Sequence, residues 1–249
     1  MKLDDIKKLH QKKYRNEYGC FLVEGEHLIL ELAKAAKHNP ALQASTVYLS
    51  ESYGELEQSA LNGLSLKQVR VTDKQMQKMA DTKTPQGIVA VVPFNDERTQ
   101  QAIASDNERT VYLYEVQDPG NLGTILRTLA WFGGFRCVLS PNSVDPYNPK
   151  VVRASMGAIF HVPIEQNISI DDMQNRFDEF ACLDINGKPL SSEGFSEQRC
   201  FIFGNEARGV PHEELSKLKT TAYSIQGAGV VESLNLATAV NMCAYELNR

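Results

Sequence analysis

Apolar and polar positions along this chain follow two periods in turn, and the switch between them recurs from one end to the other. Alternating or continuous apolar runs, which fit strands, occur at CFLVEG (20–25), STVYLS (45–50), LKQVRVT (66–72) and GIVAVVPF (87–94). Between them, EHLILELAKAAK (26–37) carries Leu28, Leu32 and Ala35 at helical spacing, and DKQMQKMAD follows with Asp73 as its expected N-cap. The pattern predicts a small α/β domain over residues 1–93.

The polar stretch FNDERTQQAIASDNER (94–109) reads as a linker with some helical character. Beyond it the alternation resumes, so 110–249 is expected to be a second domain. Strands are predicted at 111–116, 135–140, 181–185, 199–204 and 221–226, with IFHVPI (159–164) extended. Helices are predicted over NLGTILRTLAWFGG, 148–157, IDDMQNRFDEF, a segment starting near Pro211, and 233–248. In the last helix Ala237, Val240, Ala244 and Leu247 mark the apolar side. Such alternation implies an α/β fold with a mostly parallel sheet and helices on both faces.

Composition narrows the class. With 42% hydrophobic and 23% charged residues the chain is ordinary globular protein. No apolar run approaches the roughly eighteen residues needed to span a bilayer, so no membrane association is expected. The polar start, MKLDDIKKLHQKKYRNEYG, does not read as a signal peptide, and a cytoplasmic location is expected. Five scattered cysteines without a C-x-x-C fit buried free thiols, and the histidines show no metal-binding spacing, so no metal is expected. The net charge of −5 does not favour a nucleic-acid partner, yet Lys2, Lys7, Lys8, Lys12, Lys13 and Arg15 crowd the first turns against only Asp4 and Asp5. That excess suits phosphate contact or a solvated helix face.

Ligands of parallel α/β sheets bind outside the carboxyl ends of strands. Three turns there are rich in chemistry. In EVQDPGNLGTILRT, Asn121 is a candidate cap, and Thr124, Arg127, Thr128 and Trp131 form one polar stripe. That stripe fits either a ligand site or plain solvent with a snorkelling arginine. In FIFGNEARGV, Gly204 and Gly209 bracket Asn205, Glu206 and Arg208, either as close backbone approach to a ligand or as a turn with a local ion pair. In SIQGAGVVESLNLATA, Ser233 and Asn235 open the last helix, with Ser233 serving a ligand, the cap or both. No turn carries G-x-G-x-x-G, a P-loop or G-x-S-x-G, which argues against a dinucleotide oxidoreductase, a P-loop nucleotidase and a serine hydrolase.

Together, NLGTILRTLAWFG, FGNEARGV and ESLNLATAVNMCAYEL, in that order, resemble the three signature motifs of the SpoU (TrmH) branch of the SPOUT RNA methyltransferases. VVRASMGAIFHVPI (151–164) fits the same pattern, and the resemblance covers 111–249. KKYRNEYGCFLVEG and TPQGIVAVV resemble the substrate-binding domain fused to such enzymes, related to small ribosomal RNA-binding proteins. The resemblance implies a deep trefoil knot, a homodimer with its site completed across the interface, and S-adenosylmethionine as cofactor. It places Gly204, Ile225 and Leu234 along the cofactor, with Asn205 and Ser233 nearby. It implies methyl transfer to an RNA ribose 2′-hydroxyl, with Arg127 essential, Asn121 and Asn235 orienting Arg127 or the hydroxyl, and Glu206 holding Arg127 or a neighbouring turn. RNA contacts are expected at Lys12, Lys13, Tyr14 and Arg15. Ribosomal RNA is the expected substrate; the alternatives are transfer RNA, base methylation, and an RNA-binding module with a non-catalytic knot domain.

Overall fold

The computed structural model describes residues 1–54, 66–94 and 108–249, so all but the ends of the expected linker 94–109 lies outside the described residues. The chain divides into two compact units. One comprises the described residues of Met1–Glu97 together with Asp145–His161; the other comprises those of Arg98–Val144 and Val162–Arg249. Residues 145–161, placed by sequence in the C-terminal domain, therefore pack with the first unit.

In the first unit, strands β1 (Cys20–Glu24), β2 (Thr46–Ser50), β3 (Lys67–Val71) and β4 (Ile88–Pro93) form a sheet in the order β1-β4-β2-β3. β4 runs antiparallel to both neighbours, and β2 and β3 are parallel. Helices α1 (Leu3–Lys8), α2 (Lys12–Tyr18), α3 (Glu26–Ala36), α4 (Pro40–Gln43) and α5 (Asp73–Met79) accompany the sheet. Ile6, Leu9, Leu22, Tyr48, Met76 and Val89 share one core. The cap of α5 is Thr72 and not Asp73. Thr72 and Gln75 form a capping box, with Gln75 N–H donating to Thr72 Oγ1 at 3.3 Å and Thr72 N–H to Gln75 Oε1 at 2.8 Å. Asp73 instead accepts from the Ser52 hydroxyl at 2.7 Å.

The later segment of this unit begins with α7 (Pro149–Ser155), capped by Asn148. It ends at Met156 and Gly157, both at positive φ, and a Cβ on Gly157 would stand 2.7 Å from Glu31 Cβ. A 3-10 turn follows at Ala158–Phe160, so of IFHVPI only the end, at Ile164, is strand and the rest is not the extended segment its residue types suggest.

The second unit holds a six-stranded, wholly parallel sheet in the order β10-β8-β9-β5-β6-β7. Its strands are β5 (Arg109–Leu113), β6 (Phe135–Leu139), β7 (Ile164–Glu165), β8 (Phe180–Pro189), β9 (Cys200–Phe203) and β10 (Thr220–Ser224). It is flanked by α6 (Pro119–Phe132), α8 (Ile170–Gln174), α9 (His212–Leu215) and α10 (Leu236–Glu246). Tyr112, Val138, Phe180, Ile202, Val210 and Leu215 lie in its core. The Arg136 guanidinium is buried there between the carboxylates of Glu108 and Glu165, at 2.7 and 2.9 Å. The pairing of β8 with β10 jumps from Cys182↔Ala222 to Lys188↔Tyr223. Gly187 sits in the intervening excursion, where a Cβ would fall 2.5 Å from the Tyr223 backbone. All five cysteines are buried free thiols, as their spacing predicts.

Candidate active site

The carboxyl ends of the neighbouring strands β5 and β9 carry two of the three singled-out turns, and the third follows β10. D-P-G-N starts α6 with Asp118 as the N-cap and Pro119 in the first turn. Asn121 is therefore not the cap. Its N–H donates to Asp118 Oδ1 at 2.7 Å, which leaves its side-chain amide free to reach outward.

That amide joins all three turns. Asn121 Nδ2 donates to Glu206 Oε1 at 3.3 Å, and Asn235 Nδ2 donates to Asn121 Oδ1 at 2.9 Å. Glu206 also accepts from the backbone N–H groups of Gln117 and Asp118, each at 3.2 Å. Glu206 thereby ties its loop to the turn that precedes α6. Asn235 caps α10, its Oδ1 accepting from Ala237 N–H at 2.9 Å and Thr238 N–H at 3.3 Å. The last helix thus begins at Leu236, and Ser233 is an exposed loop residue and not the cap.

FGNEARGV is a tight β-turn-like loop closed by reciprocal Asn205–Gly209 main-chain bonds of 2.9 Å each. A Cβ on Gly204 would fall 2.1 Å from Gly209 C, so only glycine fits there. Both ends of the buried Asn205 side chain serve the loop. Nδ2 donates to Glu115 O at 2.7 Å, and Oδ1 accepts from Ala207 and Arg208 N–H at 3.0 and 3.1 Å. The ion pair of this loop is not local: Arg208 pairs with Glu115, at the end of β5.

Glu115 is the group that sequence reading missed. It adopts φ +49, donates its N–H to Ser140 Oγ at 2.7 Å, and accepts at its carbonyl from Gln117 Nε2 at 3.0 Å. It ties the ends of β5, β6 and β9 together, and no local signal marks a residue whose partners are so distant in sequence. Asp118 could have been found, because an Asp directly before Pro is a helix-start signature. The neighbouring Tyr114 hydroxyl is pushed above its ordinary pKa by burial and by its hydrogen bond to Glu214, so it stays neutral at working pH.

The expected polar stripe of α6 splits. Thr124, Arg127 and Trp131 are exposed, whereas Thr128 is buried. An open groove of about 730 Å³ runs between α6 and α10, lined by Asn121, Thr124, Asn235, Thr238, Met242 and Tyr245 among others. Arg127 is not among its lining residues, and it makes no hydrogen bond or ion pair with any of the described residues. Of the groove's lining, Met242 and Tyr245 are exposed, and Trp131 on α6 is 84% exposed. In the loop 225–235, Val230, Val231 and Leu234 are exposed and Ile225 is half-buried. Residues 225–234 make no main-chain hydrogen bonds among the described residues.

In the first unit, Lys12 and Lys13 are exposed and Tyr14 is half-buried. Arg15 is 3% exposed, with Nε donating to Asp145 Oδ2 at 3.0 Å and Nη1 to the carbonyls of Leu9 and His10 at 2.8 and 2.9 Å. Its guanidinium is consumed inside the unit, which corrects its expected role as a phosphate contact.

Comparison with known proteins matches both parts. The SpoU rRNA Methylase family matches residues 108–245, and the MRM3-like substrate binding domain matches residues 2–90. The chain is 30% identical, over 99% of its length and 95% of the relative's, to the 23S rRNA (guanosine(2553)-2′-O)-methyltransferase RlmP of Bacillus subtilis. Among solved structures it resembles a putative RNA methyltransferase of the TrmH family from Porphyromonas gingivalis, with a TM-score of 0.80 at 27% identity over 99% of this chain and 96% of that one. It also resembles the AdoMet-bound rRNA methyltransferase of Sinorhizobium meliloti, with a TM-score of 0.77 at 25% identity over 98% and 93%.

Proposed function

The chain belongs to the SpoU rRNA methylase family, and from that premise we propose that it methylates a ribose 2′-hydroxyl in structured ribosomal RNA, using S-adenosylmethionine. The observation that carries the reading is the Glu206–Asn121–Asn235 chain of hydrogen bonds, which brings the three motifs to one place. The match of residues 2–90 to a substrate-binding domain supports an RNA large enough to need a second recognition surface.

The loop 225–234 fits the cofactor. Its backbone groups are uncommitted among the described residues, its apolar side chains stand open, and the Cβ sides of Gly227 and Gly229 face open space. Gly204, Ile225 and Leu234 would hold the cofactor through their main chains, with Ser233 beside them; Asn205 would contribute by shaping its loop. When bound, S-adenosylmethionine supplies an electrophilic methyl on a sulfonium. The chain must then hold the ribose oxygen in line and stabilise the charge it gains as its proton leaves. Asn121 and Asn235 are fixed by each other and by Glu206, so they present a rigid edge for orienting the hydroxyl. Arg127 remains cationic at any working pH, and we assign it to stabilising the developing alkoxide.

Two further expectations belong to this reading. A homodimer is supported by the exposed Trp131, Met242 and Tyr245 and by the position of Arg127 outside its own groove, which would place it at a partner's site. A trefoil knot is what the family implies for this parallel sheet. We place the protein in the cytoplasm, where its five thiols would stay reduced; no helix among the described residues is long and apolar enough to cross a membrane.

The test is incubation with methyl-labelled S-adenosylmethionine and separated ribosomal and transfer RNAs, followed by digestion to nucleosides. Label in a 2′-O-methyl nucleoside of ribosomal RNA is expected. Label in a methylated base would overturn the ribose assignment, and label only in transfer RNA would overturn the substrate. Absence of cofactor binding by calorimetry would leave only the RNA-binding alternative.

A further inference from the structure

Tyr14 and Tyr18 lie one turn apart on α2, their ring centroids 6.2 Å apart and their planes within 17°. The ammonium groups of Lys8 and Lys13 stand 5.6 and 5.5 Å from the Tyr14 centroid. Lys8 is held there by Asp5, whose Oδ1 lies 2.8 Å from its Nζ and also accepts from the Tyr18 hydroxyl at 3.4 Å. Arg15 points inward from the same helix, so the cations beside the ring among the described residues are lysines.

We propose that Tyr14 is a stacking platform for an unpaired base of the RNA substrate, with Lys8 and Lys13 taking the phosphates beside that base. The proposal rests on the function given above and adds what part of the RNA this surface recognises. A half-buried ring with two ammonium groups within 5.6 Å of its centroid offers a π face and two positive charges beside it. That combination matches single-stranded nucleic acid, in which every base has a face to stack and every linkage a phosphate to neutralise. A double helix fits less well, because its bases are already stacked and it shows a protein only backbone, 2′-hydroxyls and base edges. The neighbours of Tyr14 also argue against a protein partner, since charged side chains surround the ring where an apolar patch would be needed. A cation–π contact holds Lys13 weakly enough to swing to a phosphate, whereas Lys8 reaches one by leaving its ion pair with Asp5.

The experiment uses the full chain and an unmodified large-subunit ribosomal RNA transcript. Methyl transfer is measured as KM for the RNA and kcat at saturating S-adenosylmethionine, with cofactor affinity measured separately. Tyr14→Leu should raise KM about tenfold or more and leave kcat and cofactor binding unchanged, and Tyr14→Phe should restore the wild-type KM. Lys8→Gln and Lys13→Gln should each reduce the slope of log affinity against log salt by about one. A Tyr14→Leu enzyme with unchanged KM overturns the proposal, as does a Tyr14→Phe enzyme as impaired as the leucine variant. If Tyr14→Leu fails to fold by circular dichroism, RNA fragments scanned with 2-aminopurine decide. Quenching at one unpaired position by the wild-type protein supports the platform, and quenching at none overturns it. A wild-type protein that methylates RNA while Tyr14 proves dispensable loses this inference alone. A wild-type protein that neither binds nor methylates any RNA loses the proposed function with it.

Discussion

Asn235 donates from Nδ2 to Asn121 Oδ1 at 2.9 Å, while its own Oδ1 caps α10 through Ala237 and Thr238. One side chain thus does two separable jobs, and two substitutions separate them. Asn235→Ala removes both the cap and the bond to Asn121, so it should lower stability by about 1 kcal/mol and lower methyl transfer. Asn235→Asp keeps an oxygen for the cap but has no N–H to give Asn121, and it adds a negative charge beside the Glu206 chain. It should unfold at the wild-type temperature and still lose activity. Thermal melts and methyl transfer on the same two preparations check this; full activity in the aspartate variant would show that the Asn121 bond is dispensable.

The glycines of the site differ in what they tolerate. Gly204 faces the Gly209–Val210 backbone, where a Cβ would fall between 2.1 and 2.3 Å from three main-chain atoms. Backbone cannot yield as a side-chain end can, so Gly204→Ala should deform the FGNEARGV loop and cost more than the roughly 1–3 kcal/mol of ordinary overpacking. Gly227→Ala meets nothing within 4 Å and should melt like the wild type. Denaturant curves of the two variants are the comparison.

The sequence made the second unit's sheet legible because strand and helix periods alternate cleanly, and each motif's position at a strand end followed from that. Helix ends were less legible. Asp118, Thr72 and Asn235 are the true caps, each displaced by one to three positions from Asn121, Asp73 and Ser233, because neighbouring polar residues compete for the same role and only the chain's entry angle decides. The burial of Thr128 within an otherwise exposed stripe was invisible for a related reason: helical spacing gives the face but not how far its neighbours cover it. Glu115 and the Arg15–Asp145 pair could not be read at all, since their partners are brought together only by tertiary packing.

Arg15 and Lys12 offer a direct contrast within α2. Removing Arg15 strands the buried Asp145 carboxylate and the carbonyls of Leu9 and His10, so Arg15→Ala should destabilise the protein by about 3–5 kcal/mol. Lys12 is exposed, and Lys12→Ala should leave the melting temperature unchanged while weakening RNA binding in a salt-dependent way. Equal stability losses in the two variants would overturn this division of labour.

Burial pushes the Cys137 thiol up to about 12 and the Cys182 thiol up to about 11, the charge of Asp184 adding to the latter. Thiolate is the reactive form, so raising the pH from about 7 to about 9 should not expose these two to a disulfide reagent in the native protein. All five thiols should react once denaturant opens the chain. Stoichiometric native labelling of Cys137 or Cys182 would contradict the packing described for their strands.

Arg127 gives the sharpest test of how the site is assembled. It is exposed on α6 and lies outside the groove that Asn121 and Asn235 line on its own chain. On the role proposed for it, Arg127→Ala should bind S-adenosylmethionine normally and lose methyl transfer, because the charge that would stabilise the alkoxide is removed. Arg127→Lys should recover little, since a lysine cannot reproduce the planar fork of donors. Asn235→Asp should be inactive for a different reason, and that difference makes the pair informative. If each site takes Arg127 from one subunit and Asn235 from the other, a mixed dimer of the two variants carries one intact site and one doubly damaged site. Co-refolding equal amounts should then restore about a quarter of wild-type activity, given random pairing in a two-fold dimer. If Arg127 and Asn235 of one chain serve the same site, no combination contains an intact site and the mixture stays dead. Activity of the mixture above the sum of its parts would therefore establish that the subunits share their sites, and its absence would return Arg127 to its own chain.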